Sequence, residues 1–295
     1  MTKTAFIAIV GKPNVGKSSL LNKMLGAKVA IVSSKPQTTR TKIMGVLTLD
    51  ETQLVFTDTP GFHKPHNKLG EYMNNAVGDS IGGTDAALFV VEPNGELNEK
   101  ELELVKKFKQ EKLPVILAIN KIDMVKEKKE LLSRILYLTK MYDFEAVVPV
   151  SATEGEGVDE LIDEMKKLSV ESPHFFPDDT LTDQPERVLA AEIIREKILR
   201  LMDKEIPHGI AVSIEKMRER ESKEILDVEA VIYCERETHK GMIIGKNGSM
   251  LKKISTFARQ DLEGFFEIKV NLHTWVKVKD NWRNRDGLIH NFGLD

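Results

Sequence analysis

The sequence contains a single cysteine, Cys234, so no disulfide can form within the chain, and this suits a reducing compartment. It has no uncharged apolar run of about 18 residues, which argues against a transmembrane helix. Its first strand-like segment leads into a glycine turn without a signal-peptide cleavage pattern. Internal repeats and low-complexity tracts are also absent. Together these absences predict a cytoplasmic globular protein.

The chain is long enough for two domains, since its 295 residues exceed the usual size of one. The hydrophobic fraction of 41% and the charged fraction of 30% are ordinary for a globular protein and exclude a wholly disordered chain. The net charge of −3, taken for the whole chain, argues against a nucleic-acid partner.

A stretch at 172–179, with two prolines and no periodicity, predicts a linker. We therefore expect a first domain at 1–172, a linker at 173–182 and a second domain at 183–295. Before the linker, short apolar runs alternate with helical patterns, at 5–10, 54–57, 86–91, 115–120 and 146–150. This alternation predicts an α/β domain with a mostly parallel sheet flanked by helices, whose ligand binds at the carboxyl ends of the strands.

The second half has a different pattern. It predicts a helix at 186–202, strands at 210–214 and 225–233, a basic helix at 249–262 and a strand at 266–278. With the segment before the basic helix, the order is α-β-β-α-α-β, an α+β arrangement. The charged residues 215–224 are expected to form a solvated connector.

The first apolar run leads into a glycine-rich segment with the spacing GxxxxGK[ST], and a helix is expected at 19–25. The segment is Gly11-Lys12-Pro13-Asn14-Val15-Gly16-Lys17-Ser18, and we expect Ser19 to contact the nucleotide as well. Backbone N–H groups of such a loop surround phosphates, Lys17 reaches the β and γ phosphates, and Ser18 coordinates Mg²⁺. The alternative is a glycine-rich turn without a ligand.

Three later loops are expected to contact the base and the terminal phosphate. Asp123 of Asn120-Lys121-Ile122-Asp123 can accept from two guanine donors that adenine lacks, while Asn120 and Lys121 brace the loop and cover the base. In Asp58-Thr59-Pro60-Gly61, Asp58 is expected to hold Mg²⁺ through a water and the Gly61 N–H to bond the γ-phosphate. The last base-side loop is Ser151-Ala152-Thr153.

The motifs GKPNVGKS, PQTTR, DTPG, NKID and SAT, in this order, resemble those of translation-factor-type small GTPases. The form GKPNVGKSSLLN with TTR resembles the TrmE-Era-EngA-like bacterial GTPases that act on RNA and ribosomes. The resemblance implies hydrolysis of GTP to GDP and phosphate, with Lys17, Thr39 and Gly61 catalytic. Intrinsic turnover is expected to be slow, because no built-in arginine finger is visible in the sequence. It also implies that Thr39 binds Mg²⁺, although the adjacent Thr38 remains an alternative.

One position departs from the pattern of many signalling GTPases. Phe62 replaces the glutamine that orients the attacking water, and an apolar ring cannot do this by hydrogen bonding. In relatives with this loop, the asparagine at the Asn14 position helps to coordinate K⁺, so the resemblance implies stimulation by K⁺. His63, Lys64 and His66 follow, but solvated loop residues are a simpler interpretation than a catalytic base.

The second half contains a GXXG loop, Gly245-Lys246-Asn247-Gly248, which resembles that of a type II KH domain that clamps about four nucleotides. The candidate RNA contacts are Gly241, Ile244, Gly245, Lys246, Asn247, Gly248, Lys252, Lys253, Trp282 and Arg283. Trp275 and His273 are interpreted as ordinary strand residues, with Trp275 in the core. From Lys240 onward there are 10 Lys and Arg against 6 Asp and Glu, so a local excess of +4 is hidden by the whole-chain charge.

Single-stranded RNA is the expected substrate of a KH groove. The family resemblance implies, as partners, the 3′ end of small-subunit ribosomal RNA and the small ribosomal subunit, whose assembly the protein would serve. A protein-interaction module in the second half and a non-hydrolysing nucleotide site are the alternatives. The family sometimes implies peripheral membrane contact, although no amphipathic anchor or lipidation motif is evident. No obligate protein partner can be inferred.

Overall fold

The computed structural model describes residues 1–35, 37–61, 67–202, 209–221 and 224–294. They form two compact units, one within Met1–Ala30, Thr39–Lys64 and Met73–Asp183, the other within Ile31–Thr38, Pro65–Tyr72 and Gln184–Asp295. Each unit has its own buried apolar core. Phe62, His63, Lys64 and His66, which the sequence singled out, lie outside the described residues.

The helices and strands follow one another along the chain in an order typical of an α/β unit followed by an α+β unit. They are β1 (Lys3–Val10), α1 (Lys17–Leu25), β2 (Ile43–Leu49), β3 (Thr52–Asp58), α2 (Lys68–Ile81), β4 (Ala86–Val91), α3 (Glu99–Glu111), β5 (Val115–Asn120), α4 (Lys128–Leu138), β6 (Ala146–Val150), α5 (Val158–Lys166), β7 (Val170–Glu171), α6 (Glu186–Leu201), β8 (Ala211–Glu219), β9 (Ile225–Cys234), α7 (Glu237–Ile244), α8 (Ser249–Phe266), β10 (Lys269–Val278) and α9 (Asp286–Asn291).

The first unit is built on a sheet with the strand order β2-β3-β1-β4-β5-β6, and β7 pairs with β1 outside that path. Strands β1, β3, β4, β5 and β6 run parallel, whereas β2 is antiparallel to β3. Strands β4 and β5 are buried along their whole length, as expected where helices cover both faces of a parallel sheet. The predicted α/β fold with a mostly parallel sheet is confirmed.

Strand β1 shows how the sheet divides the core in two. Ala5, Ile7 and Ile9 point into the core that contains residues of α1 and α5, whereas Ala8 and Val10 point into the core that contains residues of α3 and α4. Apolar packing on both faces holds the carboxyl ends of the central strands in place. The loops that follow β1, β3, β5 and β6 therefore start from a rigid edge.

Strand β2 was not among the predicted strands. It forms a hairpin with β3, and Asp50 in the turn has a left-handed backbone with φ +52°. Gly45 lies so close to α1 that a Cβ atom there would be 2.8 Å from Cδ1 of both Leu21 and Leu25. The strand depends on pairing with β3 and on this close approach, which local periodicity does not reveal.

The segment predicted as a linker, 173–182, packs within the first unit. It is irregular, as expected, but the fully buried Gln53 side chain accepts hydrogen bonds from the N–H groups of Phe175 and Phe176, at 2.8 and 3.0 Å. The Gln53 amide also donates to the Phe176 carbonyl at 2.9 Å. Because tertiary contacts satisfy its backbone, this segment is a fixed part of the first unit.

In the second unit, a sheet of order β10-β9-β8 packs against α6 and α8. Strand β9 pairs antiparallel with β8 and parallel with β10. The order α6-β8-β9-α7-α8-β10 confirms the predicted α-β-β-α-α-β arrangement.

Two predicted boundaries in this unit are wrong. Residues 215–219 are the outer part of β8 rather than a connector, because after a bulge at Glu215 the residues from Lys216 to Glu219 pair with β9. Their charges are accommodated across the strands, for example by the Lys216–Glu229 ion pair. Phe266 ends α8 instead of starting a strand, since it continues the apolar face that packs on the core.

Candidate functional site

The loop between β1 and α1 requires glycine at both ends of its motif. Gly11 has φ +150°, and a Cβ atom there would lie 2.3 Å from the Val90 carbonyl oxygen. Gly16 has φ +98°, and a Cβ atom there would lie 2.2 Å from Nδ2 of Asn120. Since Gly16 is also the N-cap of α1, no cap side chain covers the first N–H groups of the helix. Those groups and the helix dipole form a site for an anion.

Lys17 lies inside this loop. Its side chain is buried, and Nζ donates to the carbonyl oxygens of Gly11 and Lys12 at 3.0 and 3.1 Å. Burial lowers the pKa of Lys17 to about 8, although the nearby charges of Asp58 and Glu101 oppose the shift. The ammonium group is therefore positioned where the predicted phosphates would bind.

Three predicted Mg²⁺ ligands lie side by side. Ser18 Oγ donates to Asp58 Oδ2 at 2.6 Å and lies 2.9 Å from Thr39 Oγ1. Thr38 Oγ1 instead donates to the Lys35 carbonyl, so Thr39 is the threonine beside Ser18.

Asp58 has the surroundings of a metal-associated carboxylate. It is fully buried, and its Oδ1 has no hydrogen-bond partner among the described residues. Burial raises the pKa of Asp58, while the charge of Lys17 and the bond from Ser18 oppose this. Across the described ranges, no cluster of three or more His, Cys, Asp or Glu residues could hold a metal by itself. Two hydroxyls and one carboxylate fit Mg²⁺, which usually takes further oxygens from phosphates and water.

Asn120 joins three of the predicted nucleotide loops. Its Nδ2 donates to the Val15 carbonyl at 2.8 Å, and its Oδ1 accepts from the Ala152 N–H at 3.0 Å. Asp123 is exposed, and its Oδ1 accepts from Ser151 Oγ at 2.6 Å, which orients the carboxylate. Thr153 is exposed in the same loop. The structure thus brings the base-side residues together at the edge of the sheet.

Gly61 lies against the phosphate loop. A Cβ atom there would lie 2.6 Å from the backbone nitrogen of Pro13, so this contact excludes any larger residue. Thr59 is the first residue after β3. Its hydroxyl donates to the Ile9 carbonyl at 2.8 Å, which fixes the start of this loop. The backbone of the Asp58–Gly61 loop consequently lies against the loop that is predicted to bind the phosphates.

Glu92 was missed by the sequence reasoning. Its carboxylate lies 2.6 Å from Lys12 Nζ and 2.7 Å from Lys121 Nζ, and Lys121 Nζ also donates to the Asn14 carbonyl at 2.6 Å. Partial burial raises the pKa of Glu92, but the hydrogen bonds from the two lysines outweigh it, so the pKa is lowered. Glu92 directly follows β4, a central strand, and that position was the available signal.

The GXXG turn joins α7 to α8. Gly245 has φ +73°, and a Cβ atom there would be 2.8 Å from Cβ of Met250. Gly248 has φ +75° with open space around it, and it is the N-cap of α8. As at the start of α1, the cap is a glycine, so no cap side chain covers the first N–H groups of the helix.

The remaining predicted RNA contacts near this turn surround it. Lys246 and Asn247 are exposed within the turn, and Gly241 is exposed on α7, while Ile244 is half-buried at the end of that helix. Lys252 and Lys253 are exposed on α8. The arrangement combines a backbone clamp with cations beside it.

One predicted RNA contact near the end of the chain needs correction. Trp282 is 0% exposed, and its indole N–H donates to the Gly209 carbonyl at 2.9 Å, so it cannot stack on a base. Arg283 forms an ion pair with Glu235 at 2.6 Å and keeps part of its side chain exposed, and its contact with RNA stays a prediction. The interpretation of Trp275 as a core residue is also wrong, because this side chain is 46% exposed.

The fold and the two loop systems define a P-loop GTPase joined to a KH domain. Residues 6–121 match the family model described as a 50S ribosome-binding GTPase, and residues 205–283 match the KH domain model. The chain is 51% identical to GTPase Era of Clostridioides difficile, with 100% of this chain and 99% of the relative covered. It is 47% identical to GTPase Era of Ruminiclostridium cellulolyticum, with 99% and 97% covered. The chain therefore belongs to the Era family of GTPases.

Two solved structures support the same assignment. An Era variant of Aquifex aeolicus bound to GDP.AlF4⁻ matches with a TM-score of 0.95 at 39% identity, covering 99% of each chain. Era in complex with MgGDPNP and nucleotides 1506–1542 of 16S ribosomal RNA matches with a TM-score of 0.95 at 39% identity, covering 100% of this chain and 99% of the other. In the described part of this protein, no helix is long and apolar enough to cross a membrane.

Proposed function

We propose that this GTPase binds the 3′ end of 16S ribosomal RNA through its KH domain and acts in small-subunit assembly. The observation that carries the proposal is the presence of two loops of the phosphate-binding type in one chain, at Gly11–Ser18 and Gly245–Gly248. A relative of similar length and fold was solved with both MgGDPNP and 16S ribosomal RNA. The family described as a 50S ribosome-binding GTPase matches only residues 6–121 of this chain, so that match does not include the KH domain.

In the nucleotide site, each group has one task. The first N–H groups of α1 and the Lys17 ammonium bind the β and γ phosphates. The Asp123 carboxylate selects guanine by accepting hydrogen bonds from the N1–H and the amino group of the base. Asn120 keeps the base loop attached to the phosphate loop through its bonds to Val15 and Ala152. The Gly61 N–H bonds the γ-phosphate and responds to its loss.

Ser18 and Thr39 are the residues that would hold Mg²⁺ directly, with Asp58 acting through a water. When bound, Mg²⁺ neutralises charge that develops on the phosphate oxygens during phosphoryl transfer. Among the residues that the structure describes, none forms a hydrogen bond with Asp58 Oδ1, which supports this assignment. Because Thr39 itself belongs to the metal site, a change in the conformation of the segment around Thr39 on hydrolysis would alter that site.

Asn14 is the residue that would bind K⁺ through its side-chain oxygen. Its backbone is left-handed, with φ +63°, and its carbonyl oxygen accepts from Lys121 Nζ at 2.6 Å, so Asn14 is held within the phosphate loop. A cation there would supply the positive charge that an arginine finger supplies in other GTPases. GTP hydrolysis should be faster in K⁺ than in Na⁺ at equal ionic strength, and Asn14→Ala should remove the difference. Equal rates for the unmodified protein in the two salts would refute stimulation by K⁺.

In the KH domain, the glycines allow the RNA backbone to approach the chain, and Lys246 pairs with a phosphate. The clamp accommodates about four unpaired nucleotides, while Lys252 and Lys253 raise the local positive potential. The GTP form, by ordering the segments around Thr39 and Gly61, would favour one state of the KH domain, and hydrolysis would release it. We expect this work to take place in the cytoplasm, and peripheral membrane contact stays a prediction from the family.

Filter binding tests the RNA assignment. The full chain should bind a single-stranded RNA with the 3′-end sequence of 16S ribosomal RNA more tightly than a scrambled RNA, and the affinity should fall as salt is raised. Binding to 50S subunits instead would favour a function on the large ribosomal subunit. Failure to bind any single-stranded RNA would favour a protein-interaction module.

A further inference from the structure

Strand β10 has two faces with different chemistry. Val270 lies in the core of the second unit, and Leu272 and Val276 pack against it. The intervening residues His273, Trp275 and Lys277 are exposed, so they lie on the face of the sheet opposite α6 and α8.

The outer face of β10 presents a flat aromatic surface. Trp275 is 46% exposed, and the His273 ring stacks on it with a centroid distance of 6.2 Å and an angle of 24°. The other tryptophan of the chain, Trp282, is 0% exposed. An exposed ring pair of this kind is a surface on which an unpaired nucleic-acid base can stack, because every base has a π face.

The charges around the ring pair favour an anionic ligand. The acidic residues facing it from β9 are already neutralised, Glu229 by Lys216 at 3.3 Å and Asp227 by Arg220 at 2.6 Å. Lys277 has no acidic group within ion-pair distance in the part of the chain that the structure describes. An exposed ring pair beside an uncompensated cation is the combination that binds unpaired bases together with their phosphates.

We propose that His273, Trp275 and Lys277, the β10 platform, form a second RNA subsite, in which a base stacks on Trp275 and a phosphate lies near Lys277. This inference rests on the proposed RNA-binding function and extends it. The GXXG clamp holds about four nucleotides, so a longer single strand needs further surface. Strand β10 is at the edge of the sheet and contacts both α7 and α8, which flank the clamp. RNA that leaves the clamp across this edge reaches the β10 platform.

Tryptophan fluorescence of the full chain tests the proposal directly, because Trp275 is exposed while Trp282 is buried. A single-stranded RNA of about twelve nucleotides, roughly three times the clamp length, should quench the emission and protect it from acrylamide. A four-nucleotide RNA should bind without either effect. Quenching that is the same for both RNAs, or absent for both despite binding, would overturn the proposal.

Affinity measurements with variants give a second test. Trp275→Ala should weaken binding of the longer RNA by roughly 5- to 150-fold, the usual contribution of one stacked base, and leave the shorter RNA unaffected. Trp275→Phe keeps a ring and should retain most of the affinity. Leu132→Ala removes an exposed side chain from the first unit and serves as the control. If neither RNA binds the unmodified protein, the proposed function itself fails; if both bind Trp275→Ala normally, only the β10 platform is refuted.

Discussion

At the scale of the residue, the nucleotide site depends on two buried groups of opposite charge. Burial lowers the pKa of Lys17 to about 8 and raises the pKa of Asp58. In both cases burial disfavours the charged form of the group, and the attraction between Lys17 and Asp58 offsets this only in part. Phosphate oxygens would favour the Lys17 ammonium, and a cation would favour the Asp58 carboxylate. Affinity for the nucleotide is thereby linked to proton binding.

The first prediction follows from Lys17. Because nearby phosphates raise its pKa, GDP binding should take up a proton at pH 8.5 but not at pH 7, and affinity should fall as pH rises above about 8. Titration calorimetry in buffers of different ionisation enthalpy measures the uptake. Lys100→Gln, which changes an exposed lysine, should show the same uptake as the unmodified protein. Absence of uptake at pH 8.5 would contradict the pKa assigned to Lys17.

The second prediction concerns Glu92. Glu92→Gln leaves Lys12 and Lys121 without their shared counter-charge, so GDP should dissociate faster and its affinity should fall by about tenfold, or ~1.4 kcal/mol. Release of a fluorescent GDP analogue measures the rate. The nearby exposed Glu96→Gln is the matched control and should behave as the unmodified protein. An unchanged rate in Glu92→Gln would show that Glu92 does not position the lysines.

At the scale of the element, helices α1 and α8 use the same device. Each begins directly after a glycine with positive φ, Gly16 at +98° and Gly248 at +75°. A glycine N-cap provides no capping side chain, so the amide groups of the first turn remain for a phosphate. The difference lies in the space around the glycine, which is filled at Gly16 and open at Gly248.

That difference leads to the third prediction. Gly248→Asp should fit sterically yet abolish RNA binding, because its carboxylate repels phosphate, while GTP hydrolysis continues. Gly248→Asn has nearly the same shape, tolerates a left-handed backbone and carries no charge, so it should bind RNA more tightly than Gly248→Asp. Filter binding compares the two. Equal loss in both variants would indicate that backbone strain, and not charge, is responsible.

The fourth prediction concerns the segment 173–182. Gln53→Ala removes the acceptor of two backbone N–H groups, leaving each unsatisfied at a cost of about 1–3 kcal/mol. Hydrogen exchange at Phe175 and Phe176 should become faster. Gln110→Ala, at an exposed position on α3, should leave their exchange unchanged. Unchanged exchange in Gln53→Ala would mean that other contacts hold the segment.

At the scale of the whole molecule, two units with separate cores carry two separate sites. The nucleotide loops belong to the first unit, and the GXXG turn and the β10 platform belong to the second. This separation implies that either binding activity can be removed without the other.

The fifth prediction tests the separation. Lys17→Ala in the full chain should weaken nucleotide binding by more than about 100-fold, or ~2.7 kcal/mol, since the phosphates lose their main cation. RNA affinity measured without nucleotide should remain unchanged. Parallel nucleotide and RNA titrations of this variant measure both. A parallel loss of RNA affinity would contradict independent sites.

Much of the fold, and the grouping of the residues of the candidate nucleotide site, could be predicted because the signals are local. A phosphate loop is a contiguous run in which glycines and a lysine have fixed spacing, and the buried parallel strands are continuous apolar runs. Strand β2 could not be predicted, since its pairing with β3 and its contact with α1 are tertiary. Glu92 belongs to the same category, because its two lysines are distant in sequence.

The sequence by itself determined the alternation of strands and helices apart from β2 and β7, the family, and the residue types of both glycine-rich loops, because each depends on neighbouring residues. Only the tertiary structure decided that Thr39 rather than Thr38 lies beside Ser18, and that Trp282 is buried while Trp275 is exposed. The physical reason is that the exposure and partners of a side chain depend on which surfaces its element packs against. Such surfaces are formed by residues that are distant in the sequence, so local periodicity does not predict them.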